Sequence, residues 1–267
     1  MRLPSPSAVP CREATSITLA KLGKNLLILA FWVGVWALLA VWVDRALLLP
    51  GPWTVAKRLA ALVVTAEFWR ITAVSLGRIM LGAVLAIVTG AAAAAVTCRF
   101  RLLRALLSPL LTTIRATPVP SFILLVLIWV GRDILPCVVV LLMVLPVVWA
   151  NVAAGIEATD PRLLEMARVY QFPPWRTVWR VYVPSVMPHF LSACRTSLGL
   201  AWKAGVAAEV LTVPVRSIGR MLYEAKLYLE TVDLFAWTAA VVLCSLVIEK
   251  LLAAVISRLE RQKGGAA

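Results

Sequence analysis

The sequence predicts an all-α integral membrane protein with about six transmembrane helices. Its 267 residues are 62% hydrophobic and 15% charged, with a mean hydropathy of +0.91. Soluble domains are roughly 45–50% apolar and about 25% charged, so this chain must place most of its surface in lipid. The apolar residues are also gathered into long runs. The same apolar content argues against nucleic-acid binding as the explanation of the net charge of +14.

Each predicted transmembrane helix corresponds to an apolar run, and about 20 residues are enough to cross a bilayer. The runs are 26–43, 73–97, 120–130 with a backward extension through 106–114, 134–152, 191–211 and 234–256. Pro118 and Pro120 break the third run, which membranes tolerate where neighbouring helices cover the freed backbone groups. Basic residues are more frequent in the two tails and in the loops that lie on the same side of the membrane as the N terminus. The positive-inside rule therefore predicts that both termini are cytoplasmic.

These runs divide the chain into five predicted segments. In order, they are a cytoplasmic N-terminal tail (1–25), the first transmembrane helix (26–48), an external loop with a short helix (49–71), a transmembrane core (72–256) with a cytoplasmic loop at 157–190, and a cytoplasmic C-terminal tail (257–267). The short helix is expected after Pro50, Gly51 and Pro52, where the sequence becomes amphipathic.

The sequence offers little for metal or catalytic chemistry. Five cysteines occur at irregular spacing without a C-x-x-C pair, and the single histidine, His189, cannot form a metal site alone. No G-x-x-x-x-G-K-[ST], G-x-S-x-G or H-E-x-x-H motif occurs, which disfavours a membrane-embedded enzyme and leaves ATP to another chain. We therefore expect no cofactor and no enzymatic activity. An ATP-independent channel or secondary transporter is the alternative, although the two halves show no convincing inverted repeat.

The loop at 157–190 carries the clearest local signals. Asp160-Pro161 is typical of a helix start, because Asp caps the first turn and Pro fits its first position. Pro173-Pro174 is expected to end that helix and start a second one, which Pro184 ends. In the second helix, Trp175, Val178, Trp179 and Tyr182 follow the spacing of an amphipathic face. Such a hairpin could lie on the anionic inner leaflet or dock on a cytoplasmic partner through its aromatic residues.

This loop resembles the E-A-A-x3-G-x9-I-x-L-P pattern of binding-protein-dependent ABC importer permeases of type I. The residues that carry the resemblance are Glu165-Met166-Ala167, Gln171 and the segment 181–184. Three further segments are similar to the nitrate, sulfonate and taurine branch of that family: Leu49-Pro50-Gly51-Pro52, Arg115-Ala116-Thr117-Pro118 and Ala207-Ala208-Glu209. The resemblance extends over roughly residues 49–252 and favours the docking interpretation. Gln171 departs from the pattern, which has Gly there to supply a positive φ. We expect the following Phe-Pro-Pro segment to enforce the turn instead.

The resemblance implies a type I ABC importer permease fold in the bacterial inner membrane, with the loop acting as a coupling helix. Its implied partners are two copies of an ATPase, a second permease copy and an extracytoplasmic substrate-binding protein, with no nucleic acid. Trp175 and Trp179 would brace the coupling helix against the rest of the permease. The residues implied in coupling are Glu165, Met166, Ala167, Gln171, Trp175 and Pro184. The implied solute is small, of the sulfonate, nitrate, bicarbonate or vitamin-precursor kind.

Three charged residues in the run 191–211 are candidates for the transport pathway: Arg195, Lys203 and Glu209. Ionisable groups inside a membrane are costly and usually functional. We hypothesise that Lys203 lines the route and favours an anionic solute. The alternative is a structural role, in which Lys203 pairs across a homodimer or is capped by backbone carbonyls. Arg195 lies near the inner end, where it can reach the cytoplasm. Arg78, near the outer end of the run 73–97, is expected to anchor the helix at the membrane interface.

Overall fold

The computed structural model describes the backbone of residues 11–264 and most side chains between 23 and 258. The predicted tails therefore lie partly outside the described residues. Within residues 11–264 all regular structure is helical, which confirms the predicted all-α class. The elements are α1 (Cys11–Val43), α2 (Pro52–Val63), α3 (Ala66–Arg99), α4 (Arg101–Ala116), α5 (Val119–Leu127), α6 (Leu135–Glu157), α7 (Pro161–Val169), α8 (Pro174–Thr177), a π-helical segment (Val178–Tyr182), α9 (Val183–Thr212), α10 (Ile218–Leu227) and α11 (Thr231–Gly264).

Four of the described helices are long and apolar enough to cross a membrane, namely α1, α3, α6 and α11. A fifth span results if α4 and α5, which meet at an angle of 110°, count as one broken helix. The remaining predicted run, 191–211, lies in α9, which has 30 residues and a length of about 45 Å. Because α9 carries Arg195, Lys203 and Glu209, it is less apolar than the others, and its crossing stays a prediction.

The core lies where α3, α6 and α9 pack together. Each helix contributes buried side chains to this core: Ile79 and Ala86 from α3, Val144 from α6, and Ala201 and Trp202 from α9. Two glycines of α3 allow the close approach to α6. A Cβ on Gly82 would collide with the carbonyl oxygen of Cys137, and one on Gly90 would lie 3.0 Å from the carbonyl oxygen of Leu145. Small residues at such interfaces are typical of membrane helices, where backbones pack closely.

The break between α4 and α5 confirms the interruption that the prolines predict. Thr117 has an extended backbone with a ψ of 129°, because the ring of Pro118 disfavours a helical conformation in the preceding residue. The guanidinium of Arg115 then donates to the backbone carbonyl of Pro146 in α6, which fixes the end of α4 against the core.

Two ion pairs mark the two ends of the bundle. Arg104 pairs with Glu157, which brings the start of α4 to the end of α6, beside α7. We call this the loop end. At the opposite end, the Nε of Arg58 in α2 lies 2.5 Å from a carboxylate oxygen of Asp233, near the start of α11. We call this the α2 end, and α2 itself is the short helix that the sequence predicts after Pro52.

Candidate coupling loop and pathway helix

The first helix of the loop, α7, is capped at its N terminus as predicted. The Asp160 carboxylate accepts the backbone N–H of Arg162 at 2.8 Å, and Pro161 occupies the first helical turn. An acidic cap satisfies a free N–H group and also complements the positive end of the helix dipole. The sequence therefore fixes where this short helix begins.

The C-terminal end of α7 closes in a Schellman turn around Gln171. The N–H of Phe172 donates to the carbonyl of Ala167 at 2.8 Å, and the N–H of Gln171 donates to the carbonyl of Arg168 at 3.0 Å. Gln171 has a φ of +53°, the left-handed conformation that favours glycine. The expectation that the following Phe-Pro-Pro segment would replace this conformation is therefore wrong, because Gln171 adopts it directly.

Three of the coupling residues that the resemblance implies lie in α7, on two of its faces. Glu165 and Met166 are exposed, whereas Ala167 is only 3% exposed. Ala167 borders a groove of about 460 Å³, together with Gln171 and Tyr182. The small side chain of Ala167 lets α7 pack against the segment that follows the turn, which leaves Glu165 and Met166 turned to the surroundings.

The second part of the loop differs from the predicted short helix. Pro184 does not end a helix, because α8 continues through the π-helical segment into α9, and Pro184 lies in the first turn of α9. The N–H of Val183 donates to the carbonyl of Val178, five residues back, just before the proline that has no N–H to donate. The helix thus accommodates Pro184 by widening one turn.

The two tryptophans of the loop do not brace it against the rest of the described chain. Trp175 is 72% exposed and Trp179 is 54% exposed. Their rings contact each other edge to face, with centroids 5.4 Å apart. The resulting aromatic pair is a surface feature of the loop end.

Helix α9 carries an exposed stripe that includes the candidate Lys203. The exposed positions Ser192, Thr196, Lys203 and Ala207 recur at intervals of four or seven residues, which places them on one side of the helix. Among the described residues, Lys203 has no hydrogen-bond or ion-pair partner. Arg195 is also exposed and lies nearer the loop end. Their assignment to the pathway stays a prediction.

The third candidate, Glu209, lies in a different environment. Its side chain is fully buried, and one carboxylate oxygen accepts the hydroxyl of Ser75 at 2.8 Å and the N–H of Gly219 at 3.3 Å. The other oxygen lies 3.4 Å from the Arg78 guanidinium. Gly219 is in the first turn of α10, and a side chain there would collide with Glu209 itself. The carboxylate therefore joins α3, α9 and α10.

Arg78 is the partner that sequence reasoning missed. The prediction of an interfacial anchor is wrong, because Arg78 binds Glu209 and donates to the carbonyl of Val215 at 3.0 Å. Ser75, one turn earlier, donates to Glu209 and accepts the N–H of Ile218 at 2.9 Å. A signal was available, since an acidic and a basic residue near the same end of two apolar runs are natural partners.

Within the described part of the chain, no group of three or more His, Cys, Asp or Glu residues could hold a metal ion. The polar groups of the loop and of α9 act through hydrogen bonds and charge. The arrangement can dock a partner at the loop end and present a cation along α9.

The turn at Gln171 gives a first testable prediction. Replacing Gln171 with Gly should stabilise α7 by about 1 kcal/mol, because the left-handed conformation costs a non-glycine residue about that much. Hydrogen exchange of the Phe172 amide should slow about fivefold. The control is Arg168→Gly, within α7, which should speed exchange because Gly disfavours a regular helix. Unchanged exchange in Gln171→Gly would contradict the role of this turn.

The Glu209 pair gives a second prediction. Glu209→Gln should destabilise the protein by about 3 kcal/mol, because it removes the buried counter-charge of Arg78 and leaves only the exposed Asp133, at 3.9 Å. Thermal unfolding in detergent measures the loss, and adding Arg78→Met should restore much of it. The matched control is Glu224→Gln, which breaks the more exposed Arg220–Glu224 pair and should cost less than about 0.5 kcal/mol. Equal losses in the two single variants would rule out the special role of Glu209.

Comparison with known proteins identifies the family. The family described as "Binding-protein-dependent transport system inner membrane component" matches residues 79–263. A probable ABC transporter permease protein of Brucella melitensis is 30% identical over 244 residues, which cover 90% of this chain and 97% of the relative. The taurine transport system permease protein TauC of Escherichia coli is 25% identical, over 89% of this chain and 87% of its own length.

Further comparisons agree with this result. The putative aliphatic sulfonates transport permease protein SsuC of Bacillus subtilis is 27% identical, over 80% of this chain and 78% of its own length. A crystal structure of an amino acid ABC transporter with histidines has the same fold, with a TM-score of 0.57 and 18% identity over 70% of this chain and 90% of the other. The chain therefore belongs to the family of inner membrane components of binding-protein-dependent ABC transport systems.

Proposed function

We propose that this chain forms the translocation pathway of an ABC importer for a small anionic solute and couples it to a separate ATPase through α7. The observation that carries the coupling proposal is the geometry of α7. Capping interactions hold both ends of this short helix, and its exposed face presents Glu165 and Met166 at the loop end. A rigid helix loses little conformational entropy when a partner binds, which favours docking.

The charge distribution supports a cytoplasmic position of the loop end. In the sequence, the tails and the loops assigned to this side carry 14 basic residues, among them Arg99, Arg101, Arg104, Arg162, Arg168 and Arg176, whereas the loops of the other side carry 8. Cytoplasmic segments of membrane proteins are enriched in such residues. With this orientation α7 faces the ATPase, and the α2 end faces an extracytoplasmic binding protein.

The solute class is inferred from two independent features. The relatives SsuC, TauC and the bicarbonate transport system permease protein CmpB of Synechocystis are named for aliphatic sulfonates, taurine and bicarbonate. Each of these solutes carries an anionic group. Lys203 presents a positive charge on the exposed stripe of α9, and a cation inside a membrane is expensive unless it faces water or an ion.

The exposed stripe also supports a dimer. Its small and polar side chains, Ser192, Thr196 and Ala207, differ from the Leu and Val that cover the lipid-facing surfaces of α3 and α11. We infer that two copies of the chain face each other across α9, with Lys203 from each copy beside the solute route. Because each copy carries one α7, this dimer presents two docking helices, one for each of two ATPase subunits.

The coupling proposal predicts that Glu165→Arg separates the permease from its ATPase. Reversing an exposed charge at a docking surface weakens association without unfolding the helix. ATP-driven uptake in reconstituted vesicles should fall at least tenfold, and co-purification of the ATPase should be lost. The control is Glu67→Arg, an exposed acidic residue of α3 at the α2 end, which should leave co-purification of the ATPase unchanged. Full uptake and an intact complex in Glu165→Arg would reject α7 as the docking element.

The pathway proposal predicts that Lys203→Met lowers anion uptake at least tenfold while the ATPase complex still assembles. Lys203→Arg keeps the positive charge and should retain most of the uptake. Transport is measured in vesicles with sulfonate and bicarbonate as the probe solutes. If Lys203→Met transports both solutes at the rate of the unmodified chain, Lys203 does not line the route.

A further inference from the structure

The two exposed tryptophans of the loop belong to a larger surface patch. Trp175 and Trp179 are four residues apart, which places both on one face of the helix, and their rings are in contact. Arg176 and Arg180 have the same spacing and lie on the adjoining face. All four side chains are exposed. We call these four residues the Trp–Arg patch.

The patch lies on the outward side of its helix. On the bundle side, Val178 and Tyr182 line an apolar cavity of about 230 Å³. The opposite walls of this cavity belong to α3 and α6, where Ala95 and Ile156 border it. None of the four residues of the patch lines the cavity. Exposed aromatic surface of this kind marks a contact with a membrane or with another protein.

The length of α6 sets the depth of the patch. This helix has 23 residues and a length of about 35 Å, only slightly more than the hydrocarbon thickness of about 30 Å. Ile156 is the last residue but one of α6, so it lies near the boundary between hydrocarbon and headgroups. Val178 borders the same cavity as Ile156 and lies between the two tryptophans in the sequence. The patch is therefore at the level of the lipid headgroups.

The two residue types of the patch suit this level of a membrane. Indole rings concentrate at membrane interfaces, because the apolar ring and the polar N–H match the two sides of the boundary. A guanidinium binds phosphate oxygens through two parallel hydrogen bonds. Phospholipid headgroups thus offer a partner to the tryptophans and to the arginines at once.

The charge of the patch favours anionic lipids. The sequence has no acidic residue between Glu165 and Glu209. Among the described side chains, neither Arg176 nor Arg180 forms an ion pair, and Arg176 only lies over the ring of Phe172 at 5.9 Å. Basic residues beside a membrane are attracted to its anionic lipids. Two uncompensated arginines at headgroup level therefore select an anionic headgroup over a zwitterionic one.

We infer that the Trp–Arg patch binds anionic phospholipids, with the indole rings between the headgroups and the guanidinium groups on the phosphates. Depth and charge together favour lipid over a protein partner, because a soluble protein covers surfaces that project beyond the headgroups. Bound lipid holds the π-helical segment at the membrane surface, just before α9 begins. This inference does not depend on the coupling role proposed for α7.

Photo-crosslinking in nanodiscs tests what covers the patch. Benzoylphenylalanine replaces Trp175 or Trp179, one at a time, in the full-length chain, which is studied alone and with its co-expressed ATPase. The discs contain equal amounts of phosphatidylglycerol and phosphatidylcholine. Mass spectrometry of the cross-linked peptides should show lipid adducts in both preparations, with phosphatidylglycerol favoured about fivefold. Adducts with the ATPase or with a second permease copy, in place of lipid, would overturn the inference.

Two double variants test the arginines. Arg176→Gln combined with Arg180→Gln should keep the lipid adducts at position 175 and remove the preference for phosphatidylglycerol. The control combines Arg132→Gln with Arg216→Gln, which removes two exposed arginines at the α2 end and should leave the preference unchanged. Because all four side chains are exposed, neither variant should change thermal unfolding. A preference that survives the first variant, or that both variants lose equally, would exclude headgroup binding by this patch.

Discussion

The structure depends on one buried carboxylate. Glu209 lies fully inside the bundle, where an unpaired charge would cost several kcal/mol, on the order of 3–5. It is balanced by Arg78 and bonded by the hydroxyl of Ser75 and the N–H of Gly219. These groups come from α3 and from the first turn of α10, so neither helix can shift without unpairing the carboxylate. The constraint fixes α9 at the α2 end.

From that fixed point α9 runs without interruption back to the loop end. Its 30 residues continue from the π-helical segment, which follows α8 and the Gln171 turn. Lys203 lies on the same helix, between the Glu209 contacts and α7, the proposed docking helix. In the proposed transporter, a displacement of α7 reaches the solute route through one continuous element. The wide π turn before Pro184 is the part of this path with the weakest regular hydrogen bonding.

Features set by local sequence could be predicted, and features set by distant contacts could not. The cap at Asp160, the short helix after Pro52 and the break at Pro118 depend on neighbouring residues, and the structure confirms all three. Arg78 and Glu209 are 131 residues apart, so neither run alone shows that they meet. Only their common position near one end of two apolar runs marks them as candidate partners. Gln171 was misjudged for another reason, since the rigid prolines after it do not remove the need for a left-handed residue.

Two of the charged residues of α9, Glu209 and Lys203, lie in opposite environments. Glu209 has partners on every side and serves the packing of one chain. Lys203 is exposed and has no partner among the described residues. Hydrocarbon would not tolerate that cation on an exposed surface, because the cost of leaving it in lipid is at least about 2.5 kcal/mol. In the proposed crossing of α9, the exposed stripe faces water, an anion or a second chain rather than lipid, and the first two of these environments are those of a transport pathway.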